Sequence, residues 1–492
     1  MNLDKKSEKN ILFQLLKTFT SEEWEGFEKF VDSPFYNKGR NYGQIMKILK
    51  KHYPDFDSKE LSKENFYNKL FPGNEYKENV IYSMFSRLYS IAEEFLMINE
   101  MSKDNYISKE KYKLAMYRVK GMNAKADKLI SDMQNVFDNK KKSIYDYYRQ
   151  KEFQKELAYY YYANNRRDKI SAPVINLLKY SIYYQLIEYF TFEISLLTQK
   201  GFSQSDFNEN YVLKFIECTD MDKFFKMLKQ NDKENYPVIR LHYLSSMIIK
   251  NPLNSDYYDE MKQLTFDNLD TMDIYLKKYM LNSLAMHCSN RYVGGQEKYL
   301  KEGFEIRKKT VEENLFSFND TSSISNSEFR STFIEALNVN EIDWAEEFAE
   351  KYLKYIKPEF REMLGFYTRA RIAYERGNYS EAVNYAGKVN INQITFKLDM
   401  KNLLSKIYYD TNSTEPLISL LNSYYKLIKN SESRNDEILK RHTNFVKFLK
   451  DLLKIRLDNK KESDLKLLQT KLNRENVTAK KWLNKKIEDL KP

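Results

Sequence analysis

The sequence predicts an all-α chain, a right-handed solenoid of stacked helical hairpins preceded by a separate helical unit at the N-terminus. Three observations predict it. The stretch Phe366 to Lys388, FYTRARIAYERGNYSEAVNYAGK, holds two amphipathic helical segments that meet at Gly377-Asn378-Tyr379, with small residues where two helices would touch. Its pattern is echoed 37 residues earlier: Ala373, Tyr374, Ala382, Tyr385, Ala386 and Lys388 match Ala336, Leu337, Ala345, Phe348, Ala349 and Lys351. Glycine is scarce, 12 in 492 residues, against a usual ~7 %. With only 9 prolines beside it, that composition favours long uninterrupted helices and short loops.

A looser echo lies 35 residues later, where Ala370 maps to Ser405, Tyr374 to Tyr409, Gly377 to Asn412 and Ala382 to Leu417. Gly377 itself matches Asn340, another residue that tolerates a turn. A period of roughly 34 to 37 residues is that of two-helix solenoids. One hairpin cannot bury its apolar face alone, so hairpins stack. The span from Asn326 to Asn430 resembles a tetratricopeptide repeat (TPR), although no proline follows Val389 at the end of the second helix. The plainer alternative is a set of ordinary helical hairpins.

The boundaries read from the chain are residues 1–103 for the N-terminal helical unit, 104–320 for a long-helix middle region, 321–430 for the TPR-like repeats, and 431–492 for basic C-terminal capping helices. In the first of these, Thr20-Ser21-Glu22-Glu23 is a capping box, with Phe19 and Trp24 placed as a hydrophobic staple. Trp24, Phe27, Phe30 and Val31 form one buried stripe, and Ser33-Pro34 ends the helix. A second helix spans Gln44 to Lys51. Leu61-Ser62 opens a third, stapled by Leu61 and Phe66 and closed by Pro72-Gly73. A long helix follows with Val80, Met84, Leu88, Ile91 and Phe95 on one face.

Three motifs here, Ser33-Pro34-Phe35-Tyr36-Asn37-Lys38, Tyr53-Pro54-Asp55-Phe56 and Leu70-Phe71-Pro72-Gly73, resemble the N-terminal region of an uncharacterised bacterial family of large all-helical proteins with TPR-like repeats. Asp343-Trp344-Ala345-Glu346 and the repeats after it are similar to that family's C-terminal half. The resemblance implies a helical, TPR-like cytoplasmic protein and brings no activity or catalytic residues with it.

From Lys109 to about Asn314 the chain reads as longer helices, broken near Lys120-Gly121, Asn164-Asn165, Gly201, Asn251-Pro252 and Gly294-Gly295. The segment Ile182 to Leu197 is apolar or aromatic almost all round, which predicts a central helix covered on every side. It carries Glu188 and Glu193, so it is read as buried rather than membrane-spanning. Asn319 to Asn326 is the best linker candidate. Asp436 to Lys454 and Asp464 to Leu472 read as closing helices, and Trp482 and Leu483 give the last one an apolar side.

Chemistry-bearing motifs are absent from the sequence. The four histidines, His52, His242, His287 and His442, show no zinc-helix spacing, and Cys218 and Cys288 form no CxxC pair. Adjacent His287 and Cys288 point about 100° apart on a helix. No Gly-rich phosphate loop occurs. No cofactor, metal or catalytic residue is therefore nominated, and a non-enzymatic role is expected. The polar N-terminus lacks a secretory pattern, and two cysteines make no disulfide framework, so a cytoplasmic location without membrane contact is expected.

In a TPR-like hairpin the first helix lines the inner, concave surface. The repeat register puts Arg330, Tyr367 and Asn402 at one inner position, and Arg371 and Lys406 one turn on. Tyr374 and Tyr409 follow. Such a ladder could clamp an acidic peptide from a protein partner. Alternatively, these residues pair with local acids such as Glu375 and Asp410. The net charge is +11, and the 15 Lys and Arg against 7 Asp and Glu from Arg441 to Pro492 leave a local +8. That tail suits a solvated capping helix, or attraction to nucleic-acid phosphates. An interaction scaffold with a protein or peptide partner is the first functional expectation, and nucleic-acid binding through the C-terminal region the second.

Overall fold

A computed structural model describes residues 10–35, 42–103, 109–138, 142–199, 214–316, 324–390, 392–431, 437–458 and 462–491. The break at Gly201, most of the linker Asn319 to Asn326 and Tyr36-Asn37-Lys38 lie outside them. Among the described residues the chain is helical without strands, and one isolated bridge joins Lys142 and Met272. The chain divides into two compact units, Met1–Lys120 and Gly121–Pro492.

The first unit holds α1 (Ile11–Leu16), α2 (Ser21–Asp32), α3 (Gly43–Lys50), α4 (Lys63–Leu70), α5 (Glu78–Lys103) and α6 (Lys109–Val119). The capping box at the start of α2 is formed in full. The Glu23 amide donates to Thr20 Oγ1 at 3.1 Å, and the Thr20 amide donates to Glu23 Oε2 at 2.9 Å. That satisfies two of the donors that a helix start leaves open. Helices α1, α2 and α4 pack on α5. The core between them is aromatic: Phe13, Trp24, Phe27, Phe66 and Phe95 are buried, and Trp24 stacks on Tyr53 at 4.9 Å. Gly26 lets α2 approach α5 closely, because a Cβ there would stand 3.0 Å from the Phe95 ring.

The second unit begins with α7 (Asn123–Asp138), α8 (Ile144–Ala163), α9 (Ser171–Gln199), α10 (Met221–Asn231), α11 (Tyr236–Lys250) and α12 (Ser255–Asp267). It continues through α13 (Ile274–Val293), α14 (Lys298–Glu312), α15 (Asn326–Asn338), α16 (Ile342–Tyr352), α17 (Pro358–Glu375) and α18 (Tyr379–Lys388). It closes with α19 (Ile394–Asp410), α20 (Thr414–Lys429), α21 (Glu437–Leu457), α22 (Glu462–Arg474) and α23 (Lys480–Glu488). Helices pack in neighbouring pairs, α13 with α14, α15 with α16, α17 with α18 and α19 with α20, and each pair meets the next. The leading helices also touch one another, α15 on α17, α17 on α19 and α19 on α21.

The turns inside three successive pairs share one geometry. Asn340, Gly377 and Asn412 all take positive φ, 68°, 81° and 55°. In each, the next amide reaches back to close the preceding helix: Glu341 to the Ala336 carbonyl at 3.0 Å, Asn378 to Ala373 at 2.8 Å and Ser413 to Tyr408 at 2.8 Å. This is the Schellman closure, which needs a left-handed residue and so selects Gly or Asn. The small residues aligned in the sequence, Ala336, Ala345, Ala349, Ala370, Ala373, Ala382 and Ala386, are all buried where helices cross.

One expectation is corrected. The helix covering Ile182 to Leu197 is longer, and it is covered on one face only. Tyr183, Ile187, Phe190 and Ile194 are buried, on the helix that α8 and α11 pack against, with Phe190 meeting Tyr243 of α11 at 5.4 Å. Ile175, Leu178, Ile182 and Phe192 stand 64, 60, 52 and 63 % exposed, and Leu196 joins them at 37 %. An apolar circumference shows that both faces favour contact. It does not show that one chain supplies both.

Candidate functional site

The inner positions read from the repeat register converge, but on each other. Arg330 of α15 reaches Asp399 of α19 with both arms of its guanidinium, Nε to Oδ2 at 2.6 Å and Nη2 to Oδ1 at 2.7 Å. The Tyr367 hydroxyl of α17, between them, donates to Asp399 Oδ2 at 2.6 Å. Burial alone would raise the Asp399 carboxyl, but the Arg330 guanidinium outweighs it and holds the group down at about 2. Burial, then the neighbouring Asp399 charge, pushes the Tyr367 phenol up. Arg371 adds its charge to the same cluster, and its Nε is buried without an acceptor among the described residues. Behind Asp399, the Tyr424 hydroxyl of α20 meets His442 Nδ1 of α21, and Asn402 lies buried beside them.

One turn further along α19, the Lys406 ammonium sits 4.2 Å from the Tyr374 ring centre. Burial lowers the Lys406 pKa to about 8, with the Arg371 charge acting in the same sense. The Tyr374 hydroxyl donates to Asp410 Oδ2 at 3.2 Å. Asp410 in turn holds Lys486 of α23 at 2.9 Å and accepts from Trp482 Nε1 at 3.4 Å. Tyr409 lies under the Arg456 guanidinium, 3.9 Å from its ring centre.

Of the seven positions read from the sequence, Tyr367, Tyr374, Asn402, Lys406 and Tyr409 are therefore buried, and Arg330 and Arg371 are half-buried. Arg330, Tyr367 and Tyr374 bond to acids inside the helical array, whereas Arg371 Nε, Asn402 Nδ2 and the Tyr409 hydroxyl are buried without a hydrogen-bond partner among the described residues. The reason is reach: the leading helices touch, so a long Arg on α15 spans past α17 to α19. Asp410 was legible as a local acid, whereas Asp399 was missed. Its signal is a carboxylate on the same α19 stripe as Asn402 and Lys406, at i, i+3 and i+7.

The surface that stays open lies on the other side of α19. A groove of about 400 Å³ runs between α19 and α20. Phe396 and Met400 form its buried floor, and Val389, Leu404 and Leu427 its half-buried walls. Lys397, Lys401 and Lys426 rim it. Lys401 donates to Ser423 Oγ at 2.8 Å, and among the described residues none of the three meets a carboxylate. A second groove, of about 570 Å³ between α12 and α14, also carries lysines. There three of the five lysines meet acids, Lys262 with Glu302 at 2.5 Å, Lys308 with Glu305 at 3.5 Å and Lys309 with Glu313 at 3.2 Å, while Lys298 and Lys301 pair with none among the described residues.

The C-terminal basic residues are partly consumed by the fold. Besides Lys486, Lys480 donates to the Asn473 and Glu475 carbonyls, Arg456 to Tyr409 O and Asn412, and Lys491 pairs with Glu488 at 2.6 Å. Among the described residues no helix is long and apolar enough to cross a membrane. No family model matches the sequence, and no curated protein or solved structure matches it either.

Proposed function

We propose that the protein is a non-enzymatic interaction scaffold, a TPR-like solenoid that takes an acidic, amphipathic segment of a protein partner in the α19–α20 groove. The observation that carries this is the set of three lysines, unpaired with any carboxylate among the described residues, around an apolar floor. Apolar residues of a partner would cover Leu404 and Leu427 while its carboxylates meet the rim, the combination by which grooves receive amphipathic helices. The internal network of Arg330, Tyr367, Asp399 and Lys406 serves as the frame that holds the groove's helices. The repeated turns at Asn340, Gly377 and Asn412 support the solenoid reading.

The test compares the tagged wild-type chain with a Lys397→Glu/Lys426→Glu variant in nuclease-treated host extract, read by mass spectrometry. Both positions are exposed, so helix content should be unchanged by circular dichroism. A protein recovered by the wild type and lost with the variant is expected, and its binding segment should be acidic. Equal recovery by both chains would sink the proposal. The alternative, phosphate binding by the basic C-terminal region, rests on the local +8 of the sequence. The local bonding of Arg456, Lys480, Lys486 and Lys491 weighs against it.

A further inference from the structure

Helix α9 runs for 29 residues. Its inner stripe, Tyr183, Ile187, Phe190 and Ile194, is covered by its own chain. The outer stripe repeats every three or four residues: Ile175, Leu178, Ile182, then Gln185, half-buried Tyr189, and Phe192 and Leu196. A spacing that averages 3.5 residues is that of a coiled-coil seam, in which side chains of one helix enter holes on another. The partner this face fits is therefore a helix. The seam is two positions wide per seven, too narrow for the broad apolar face that lies in a lipid surface. From Ile175 to Leu196 it extends about 32 Å at 1.5 Å per residue.

We infer that the occupant is α9 of a second copy of this chain, packed antiparallel about a two-fold axis. The order of residues along the seam is self-complementary only in that sense. With Ile182 set opposite Gln185 of the partner, Leu178 falls opposite Tyr189 and Ile175 opposite Phe192. The Leu178 and Ile175 layers each join an aliphatic to an aromatic side chain, and Leu196 at the end of the seam falls opposite Ser171. Parallel pairing would stack Phe192 on Phe192 and Tyr189 on Tyr189, and would leave Gln185 facing Gln185. Charge permits self-approach. The charged residues beside the seam are Lys179, which pairs with Asp232 at 3.5 Å, and Glu188, which accepts from the Tyr184 hydroxyl, and the antiparallel register sets the Glu188 of one copy level with the Lys179 of the other. A specific interface of standard size buries about 800 Å² on each partner. The paired part of the seam, Ile175 to Phe192, is about 26 Å long at 1.5 Å per residue, which suits a dimer that forms and dissociates with concentration.

The test uses the full chain. Analytical ultracentrifugation should show mass rising toward twice that of the chain as concentration increases. Ile182→Glu/Phe192→Glu should remain monomeric at every concentration, with its helical circular dichroism intact. Gln185→Leu, which removes the polar side chain from both central layers, should tighten the dimer about tenfold. In a Cys218→Ser background, chains carrying Ile175→Cys mixed with chains carrying Phe192→Cys should form a disulfide-linked dimer under mild oxidation, and Ile175→Cys alone should not. A wild-type chain that stays monomeric overturns the inference, as does a dimer indifferent to the glutamates. Crosslinking of Ile175→Cys to itself overturns the antiparallel arrangement.

Discussion

Arg330 and Asp399 stand 69 residues apart in sequence and meet through two hydrogen bonds of 2.6 and 2.7 Å. The pair joins α15 to α19 past α17, whose Tyr367 supplies a third bond. Removing one member leaves the other charge buried, which typically costs about 3–5 kcal/mol. Asp399→Asn should therefore lower the stability of the second unit by roughly 3 kcal/mol in denaturant unfolding. Arg330→Met/Asp399→Leu should recover much of that loss. A single mutant within about 0.5 kcal/mol of wild type would show the pair to be incidental.

Acid should act on the histidines before the carboxylate. Burial lowers His242 to about 3 and His287 and His442 to about 4, from an ordinary value of about 6.5. As pH falls through that window the unfolded chain takes up protons that the folded chain refuses, so stability falls. Asp399, held at about 2, keeps its contribution until pH drops below its ordinary ~3.9. Unfolding measured from pH 7 to 4 should show a progressive loss, with each histidine supplying on the order of 1–3 kcal/mol. His442→Gln should flatten the curve, and an unchanged slope would contradict the assignment.

Lys406 should act in the same sense, stability rising with pH, but in an alkaline window. Its pKa is lowered to about 8, so the folded chain sheds a proton that the unfolded chain keeps up to about 10.4. Below pH 8 the buried ammonium is a burden, and between 8 and 10.4 that burden is relieved. Lys406→Met should be more stable than wild type at pH 7, and the gap should close toward pH 10. A constant gap would mean that Lys406 does not titrate in that range.

The repeated turns allow a test with few side effects. A Cβ on Gly377 would meet no atom within 4 Å, yet its φ is +81°. Gly377→Ala should cost about 1 kcal/mol through backbone conformation alone. Asn340→Gly, at a matching position, should change stability by only a few tenths of a kcal/mol, whereas Asn412→Gly also removes the acceptor of Arg456. A larger loss from Asn340→Gly would show that the Asn side chain does something beyond accepting the turn.

Any affinity for nucleic acid through the C-terminal region should fall steeply with salt, because released counterions drive such binding. Fluorescence anisotropy with single- and double-stranded probes from 50 to 200 mM salt measures the slope. The proposed function anticipates weak binding that vanishes across that range. Tight binding with a shallow slope would contradict the phosphate reading, and tight binding with a steep slope would promote it over the groove.

Local signals in the sequence were strong enough to read most helices. The capping box at Thr20, the cap at Ser62 with Leu61 and Phe66 buried in one core, and the turn residues Asn340, Gly377 and Asn412 act over fewer than six residues, and each appears in the fold as the sequence implies. The fate of the inner ladder was not legible, because it depends on how closely leading helices approach. Arg330 could be assigned to the inner face, but its partner 69 residues away could not. Periodicity likewise implied that α9 is covered on every side, because an apolar circumference does not reveal that Ile182 and Phe192 stay exposed. The groove beside Lys397 and Lys426 draws on two helices and a loop, so no linear motif announces it.

An array in which each pair grips only its neighbours yields to force one pair at a time, since no load passes beyond the adjacent joint. The Arg330–Asp399 bridge changes that load path. Tension applied across residues 326–410 is carried past α17 by a pair of bonds lying across the helices, so the middle pair cannot peel away while the outer two hold. The segment should give way as one mechanical event under a pulling force, and Asp399→Asn should split that event into smaller steps.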